Sequence, residues 1–343
     1  MSQFRVALTA DFYEAGQLRY RDIGLDLLRD SPAHELISLA AHRSPIEADQ
    51  LAGVNGVIVL SPRITAHSLS AAHDLLAIGR FGVGFDSVDV AACTAADVLL
   101  YITVGAVDHS VAEATVGWLL AMTHHVRTKD QLVRSGEWDA RSRYMGSELR
   151  DRTLGIVGFG GIGRAVLQML GGFRMQPPLV FDPFVSAEAI AAVGGRQVSL
   201  EELLAKSDFV SLHCPLNDQT RNLIGARELA LLKPTAYLIN TARGGIVNED
   251  ALFAALQENH LAGAALDCFE QEPLMGPTRW AEFDNVLLAP HSIAWTNELF
   301  RDIGRAACQG MLDLAGGIRP RGIVNPEVLE RPGFLAKWQR LRQ

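Results

Sequence analysis

Arg243, Asp267, Glu272 and His291 carry side chains suited to holding an acid and moving a proton. A protonated imidazole is a good proton donor because its pKa lies near working pH. A carboxylate beside it favours the charged form. An arginine presents N–H groups in a fork that fits carboxylate and carbonyl oxygens. This set suits reduction of a 2-keto acid, in which a hydride reaches the carbonyl carbon and a proton reaches the developing alkoxide. Each residue also has a plainer reading. Arg243 could be a salt-bridge arginine, Glu272 a turn residue before Pro273, Asp267 a cap, and His291 an ordinary histidine at a strand end.

Position favours the joint reading. Short apolar runs at 154–157, 179–181, 209–212, 237–239, 264–266 and 286–288 read as buried strands. They alternate with helix-like segments, the rhythm of a parallel sheet covered by helices. Ligands of such sheets sit at the carboxyl ends of the strands. His213-Cys214-Pro215 follows the third run, and N-T-A-R-G-G with Arg243 follows the fourth. D-C-F-E-Q-E-P with Asp267 and Glu272 follows the fifth, and A-P-H with His291 the sixth. The two glycines after Arg243 signal a close approach of backbones. His213 reads better as structural or cofactor-adjacent than as catalytic.

The first run leads into G-F-G-G-I-G, with Gly158, Gly160 and Gly163 in G-x-G-x-x-G spacing, and a helical segment follows. In that pattern Gly158 permits a tight turn, Gly160 lets backbone approach a pyrophosphate, and Gly163 packs helix against strand. The helix start adds free N–H groups and a positive dipole end for the anion. Alone the pattern is weak. Here the next strand ends at Asp182, about twenty residues past the last glycine, where an acid meets the adenosine ribose hydroxyls. No arginine adjoins Asp182, so NAD is favoured over NADP.

An earlier β/α series precedes this one, with strands expected at 4–9, 35–39, 56–60, 76–79 and 98–103 and helical segments at 22–28, 46–51 and 66–73. Ser110, with Glu113 three residues on, has capping-box spacing for a helix running to about His124. A polar segment, 127–152, separates the two series. Asn248 is placed to cap the helix that begins at Glu249. A last long helix is expected from about Asn297 to Leu314. If it returns the chain to the first domain, the second domain is an insertion in the first.

The 343 residues suit two domains, and 48% apolar content supplies a large core. A net charge of −8 argues against an electrostatic nucleic-acid binder. No signal-peptide pattern opens the chain, and no apolar run is long enough to span a bilayer. Cys93, Cys214, Cys268 and Cys308 are scattered without a C-x-x-C, so no metal site is expected and a cytoplasmic location is the default.

Several ordered motifs carry a resemblance. They are L-G-I-V-G-F-G-G-I-G-R, D-F-V-S-L-H-C-P-L-N-D-Q-T, L-I-N-T-A-R-G-G-I-V-N-E-D-A-L, A-A-L-D-C-F-E-Q-E-P and L-L-A-P-H, preceded by G-R-F-G-V-G-F-D-S-V-D and S-V-A-E. Together they resemble the D-isomer-specific 2-hydroxyacid dehydrogenase family, from about Ile78 to the last helix. The resemblance implies an α/β chain of two doubly wound parallel-sheet domains. A Rossmann NAD-binding domain, 105–298, is inserted in a flavodoxin-like substrate domain, 1–104 with 299–343. It implies His291 as acid/base, Glu272 as its partner, and Arg243 as anchor for carboxylate and keto oxygen. It puts Gly161, Ile162, His213, Cys214, Pro215, Thr220, Thr241, Ala242 and Asp267 at the cofactor. Backbone N–H groups around Val83 and Gly84 would hold the substrate carboxylate, and the two domains would close to exclude water. A cytoplasmic homodimer joined through 127–152, acting on a small 2-hydroxy or 2-keto acid, completes the expectation.

This chain departs from the family pattern in places. Val107 stands where a polar residue is common, and S-I-A-W-T follows the histidine in place of a glycine-rich sequence. Trp295 therefore alters either the substrate surroundings or only their packing. Leu60-Ser61-Pro62-Arg63 lacks the paired arginines that suit a phosphorylated substrate. An NAD-sensing binding protein of the corepressor kind is the alternative, and formate or phosphite oxidation on the same scaffold a third reading.

Overall fold

The computed structural model describes residues 3–341. The chain forms two compact units, one running to Val107 and resuming at Trp295, the other Asp108–Ala294. The joins fall after Val107 and after Ala294. Trp295 belongs to the first unit because its ring meets Phe300 at 5.2 Å and Tyr20 at 6.2 Å.

In the first unit the strands Phe4–Leu8, His34–Ser38, Gly56–Val59, Ala77–Arg80 and Leu99–Ile102 are all parallel. Their spatial order is second, first, third, fourth, fifth, the flavodoxin-like arrangement. Val57, Val59, Ile78 and Leu100 are fully buried, as strands covered on both faces require. The helical segments are shorter than the sequence suggests. Within the expected segments only Asp26–Arg29 and Ala66–Leu69 are α-helical and Ala48–Leu51 is a 3-10 turn, while a helix not expected, Val90–Ala95, is capped by Asp89. Asp22 accepts the Gly24 N–H at 2.8 Å, closing a turn that delays the first helix.

The helix Asn297–Ala315 brings the C-terminal part of the chain onto this sheet. The buried Tyr101 hydroxyl donates to the Ala307 carbonyl, and Gly79 and Gly310 leave room for its ring. Asn325 is 1% exposed and accepts the Leu100 N–H at 2.8 Å while donating to Thr94 and to the Val98 carbonyl, both at 3.0 Å. One amide side chain thus ties the tail to the strand Leu99–Ile102.

The second unit holds seven parallel strands: Leu154–Val157, Leu179–Phe181, Arg196–Gln197, Phe209–Leu212, Tyr237–Asn240, Gly263–Leu266 and Val286–Leu288. Their order is third, second, first, then fourth to seventh, the Rossmann arrangement with one strand added. Strand alternation splits the core in two. Val157, Val210, Leu238 and Ala264 join one apolar cluster, while Ile156, Phe209, Ile239 and Ala265 join another with Trp118 and Leu119.

Ser110 is not a helix cap. The helix is Asp108–Thr123, so Ser110 lies inside its first turn. The preceding turn closes early, with Ala106 N–H bonded to the Thr103 carbonyl and Gly105 at φ +87°, and the helix starts at once. Asn248 does cap Glu249–Gln257, accepting the Ala251 N–H at 2.9 Å. The polar segment 127–152 contains the helix Val126–Ser135 and a 3-10 turn, Trp138–Arg143. Among the described residues no helix is long and apolar enough to cross a membrane.

Asn325→Leu removes three hydrogen bonds and leaves the Leu100 N–H and the Val98 carbonyl buried without a partner. A loss of about 2–3 kcal/mol in chemical unfolding is expected.

Candidate active site

The carboxyl ends of four adjacent strands of the second unit carry the expected residues. Leu212 leads to His213, Asn240 to Thr241–Arg243, Leu266 to Asp267 and Leu288 to His291, through parallel pairings that keep these ends level. Sequence order becomes spatial order because each strand pairs with the next.

Asp267 connects three of these ends. Its backbone N–H donates to the Asn240 carbonyl at 3.0 Å, and its carbonyl accepts the His291 N–H at 2.8 Å. Its carboxylate, only 4% exposed as a residue, accepts the N–H of Ser292 at 2.8 Å and of Ile293 at 3.1 Å. Burial pushes this carboxyl above its usual range, while the two N–H groups and the nearby His291 pull the other way. Asp267 is therefore the pin of the histidine loop, whatever else it touches.

His291 Nδ1 lies 2.7 Å from Glu272 Oε2. The other oxygen, Oε1, accepts the Phe269 N–H at 2.8 Å, which orients the carboxylate toward the ring. Burial alone would raise the Glu272 carboxyl. The His291 hydrogen bond and charge, the Phe269 N–H and the Arg243 charge overcome it, and the net shift is downward. His291 has a left-handed backbone, φ +52°, a region that histidine tolerates better than most residues.

Arg243 lies in a loop shaped from both sides. Asn240 accepts the Ala242 N–H at 3.1 Å and donates to the Arg243 carbonyl at 2.8 Å. The Arg243 guanidinium donates to the Ala242 carbonyl at 2.6 Å. A Cβ at Gly244 would fall 1.8 Å from the Phe269 carbonyl oxygen, which explains the first of the two glycines. Thr241 and Thr115 hydroxyls meet at 3.3 Å in the interior. Asn240, buried and bracketing the loop, was not singled out in the sequence; an asparagine as the last strand residue was its one signal.

The glycine loop follows the strand Leu154–Val157. Gly158 has φ +90°, and a Cβ there would meet the Cys214 N at 2.6 Å. That contact brings His213-Cys214-Pro215 against the loop. A Cβ at Gly163 would lie 2.6 Å from the Gly158 carbonyl, whereas Gly160 faces open space. Gly161 has a different reason: a Cβ would fall 1.8 Å from an Asp108 carboxylate oxygen. Asp108, another residue missed in the sequence, thus stands at the start of the helix Gly161–Met169, with its carboxyl pushed up by burial.

Asp182 holds the loop directly. It accepts the Phe159 N–H at 2.7 Å on one oxygen, and Phe184 at 2.8 Å and Val185 at 3.2 Å on the other. Thr220 donates to the Pro215 carbonyl at 2.6 Å, closing the loop after the strand Phe209–Leu212. Burial pushes the Cys214 thiol up to about 11 and the His213 imidazole down to about 4. His213 Nε2 bonds Ser211 at 2.9 Å, while its buried Nδ1 has no partner among the described residues. Val83 and Gly84 follow the strand Ala77–Arg80 of the other unit.

The sequence pattern described as "D-isomer specific 2-hydroxyacid dehydrogenase, NAD binding domain" matches residues 116–292. The chain belongs to this family. It is 38% identical to a glyoxylate reductase of Aeropyrum pernix, over 97% of this chain and all of that relative. It is 39% identical to a glyoxylate reductase of Thermofilum pendens, over 79% of this chain and 81% of that one. An NAD-dependent formate dehydrogenase of Staphylococcus aureus in complex with NAD superposes with a TM-score of 0.79 at 27% identity, covering 93% and 98% of the two chains. The protein is an NAD-dependent D-2-hydroxyacid dehydrogenase, and the matches do not favour a sensor without turnover.

The second unit of this dehydrogenase fits a dinucleotide. The open side of Gly160, the helix start at Gly161 and the partnerless His213 Nδ1 are features of a cradle for a polar, anionic group. Gly160→Ala should leave the unfolding midpoint within about 0.5 kcal/mol of wild type, since the new methyl meets nothing. It should weaken NADH binding, read by fluorescence titration, tenfold or more. Gly163→Ala should instead lower stability itself by about 1–3 kcal/mol, because its methyl meets backbone.

Proposed function

We propose that this dehydrogenase reduces a small, unphosphorylated 2-keto acid to the D-2-hydroxy acid, with NADH preferred over NADPH. The observation that carries the reading is the 2.7 Å contact between His291 and Glu272, on a loop pinned by Asp267. Arg243 binds the carboxylate and keto oxygens of the substrate. Its charge opposes that of the substrate, and its loop is fixed by Asn240. His291, charged beside Glu272, gives its Nε2 proton to the oxygen as alkoxide character develops, and in oxidation the neutral ring takes the proton back. Nicotinamide supplies or accepts the hydride when bound. Asp182 places a negative charge where a 2′-phosphate would be repelled. In the first unit, the N–H groups around Val83 and Gly84 are the proposed second anchor for the carboxylate. We further propose a homodimer through 127–152, where Val133, Trp138 and Met145 are 62%, 61% and 80% exposed.

The test is an activity matrix of NADH and NADPH against a panel of keto acids, with glyoxylate first because two relatives carry that name, and formate oxidation as a separate arm. Expected is NADH oxidation with at least one keto acid. NADH binding without turnover of any would sink the proposal, and turnover of formate alone would replace it. His291→Ala should cut kcat by about 10²–10⁴, and Arg243→Ala should raise KM as well as lower kcat. Glu272→Gln removes the carboxylate that orients His291 Nδ1, so kcat should fall tenfold or more with little change in KM. An unchanged kcat would take Glu272 out of its role.

A further inference from the structure

The catalytic pair has a third neighbour that the reaction does not use. Cys268 Sγ, a Glu272 oxygen and a His291 nitrogen all lie within 4.8 Å of one another. A thiolate, a carboxylate and an imidazole are the ligand types of zinc. Bond lengths of about 2.0–2.3 Å place tetrahedral zinc ligands roughly 3.5 Å apart, so the three atoms need only a small contraction. The frame that holds them is already built. Phe269 N–H fixes one Glu272 oxygen and leaves the other to His291, and Asp267 holds the His291 backbone. Cys268 is 3% exposed, and its thiol donates to the Ala242 carbonyl at 3.5 Å. Glu272 and His291 keep 34% and 45% of their side chains exposed, so an ion can enter from solvent. Positions 268, 272 and 291 match no common metal-ligand spacing, which is why the sequence gives no sign of the site.

We propose that Cys268, Glu272 and His291 form a Zn²⁺ site through which zinc reversibly inhibits the enzyme. Zinc binding sends the thiol proton and the proton shared by Glu272 and His291 Nδ1 to solvent, and forms one bond to each residue. The fourth position stays open to water. With Nδ1 on the metal, Nε2–H becomes too weak an acid to donate and leaves no neutral nitrogen to accept. Reduction and oxidation are then both blocked. The inhibition rests on His291 as acid/base, but the ion site rests only on the three side chains.

The experiment uses the full chain, freed of metal with chelator and dialysed. Cys268→Ala should keep the basal activity and raise the zinc concentration for half inhibition at least tenfold. Chelator should restore wild-type activity fully. Co²⁺ titration reads the ion without turnover. Wild type should show a thiolate-to-cobalt charge-transfer band that Cys268→Ala lacks. Equal zinc sensitivity of the two proteins, or a band that survives Cys268→Ala, would overturn the proposal. His291→Asn, compatible with the left-handed backbone, should weaken Co²⁺ binding at least tenfold and keeps the test open if the alanine variant folds poorly. A normal Co²⁺ band without any keto-acid activity would leave the site standing and remove only the proposed reaction.

Discussion

Asp267 sits where a charge is hard to keep. It is buried, and desolvation works against its ionised form. Two N–H groups from the histidine loop supply what water would have given. The same residue joins the Asn240 strand end through its N–H and the His291 backbone through its carbonyl. Loops from three neighbouring strands thus share one fixed point. His291, the proposed proton donor, owes its place to this point, since an exposed imidazole on a free loop would sample many positions. Glu272 and Arg243 are set by independent devices, the Phe269 N–H and the Asn240 amide. A backbone N–H thus orients Glu272, Glu272 in turn orients the His291 ring, and the Asn240 side chain shapes the Arg243 loop.

The glycine loop follows the same logic with a different acid. Asp182 was expected to face a ribose, and its carboxylate accepts three backbone N–H groups, one from the loop itself. A carboxylate has about four acceptor sites, so loop support does not use up its capacity. Removing Asp182 would therefore disturb the phosphate cradle along with any sugar contact. If Asp182 sets cofactor choice as proposed, that choice is joined to loop geometry, and substitutions aimed at NADP carry a structural cost.

Strand ends were the legible part of the sequence. The runs 154–157, 179–181, 209–212 and 286–288 coincide with strands, because a fully covered parallel strand is a short apolar run bounded by polar residues. The placement of Arg243, Glu272 and His291 just past strand ends was legible for the same reason: they follow such runs. Ser110 misled because a capping box looks the same inside a first turn as at a helix start, and the turn at Thr103–Ala106 decided which it was. Asp108 against Gly161, and Asn240 around Arg243, stayed hidden because they depend on backbone passing close in space. The Gly-Gly after Arg243 was the exception: it announced a tight approach and left only the partner, the Phe269 carbonyl, to be found.

The tie between Asn325, Tyr101 and the returning helix also bears on how the chain is made. The sheet of the first unit leaves the ribosome early, yet the Tyr101 hydroxyl waits for Ala307 and the Leu100 N–H for Asn325. The whole of Asp108–Ala294 is synthesised in between. Domains fold as units during synthesis, so the inserted unit can finish first while its host still lacks a helix and part of its core. The half-built sheet must stay soluble through that interval. The first domain to begin is thus the last to be completed.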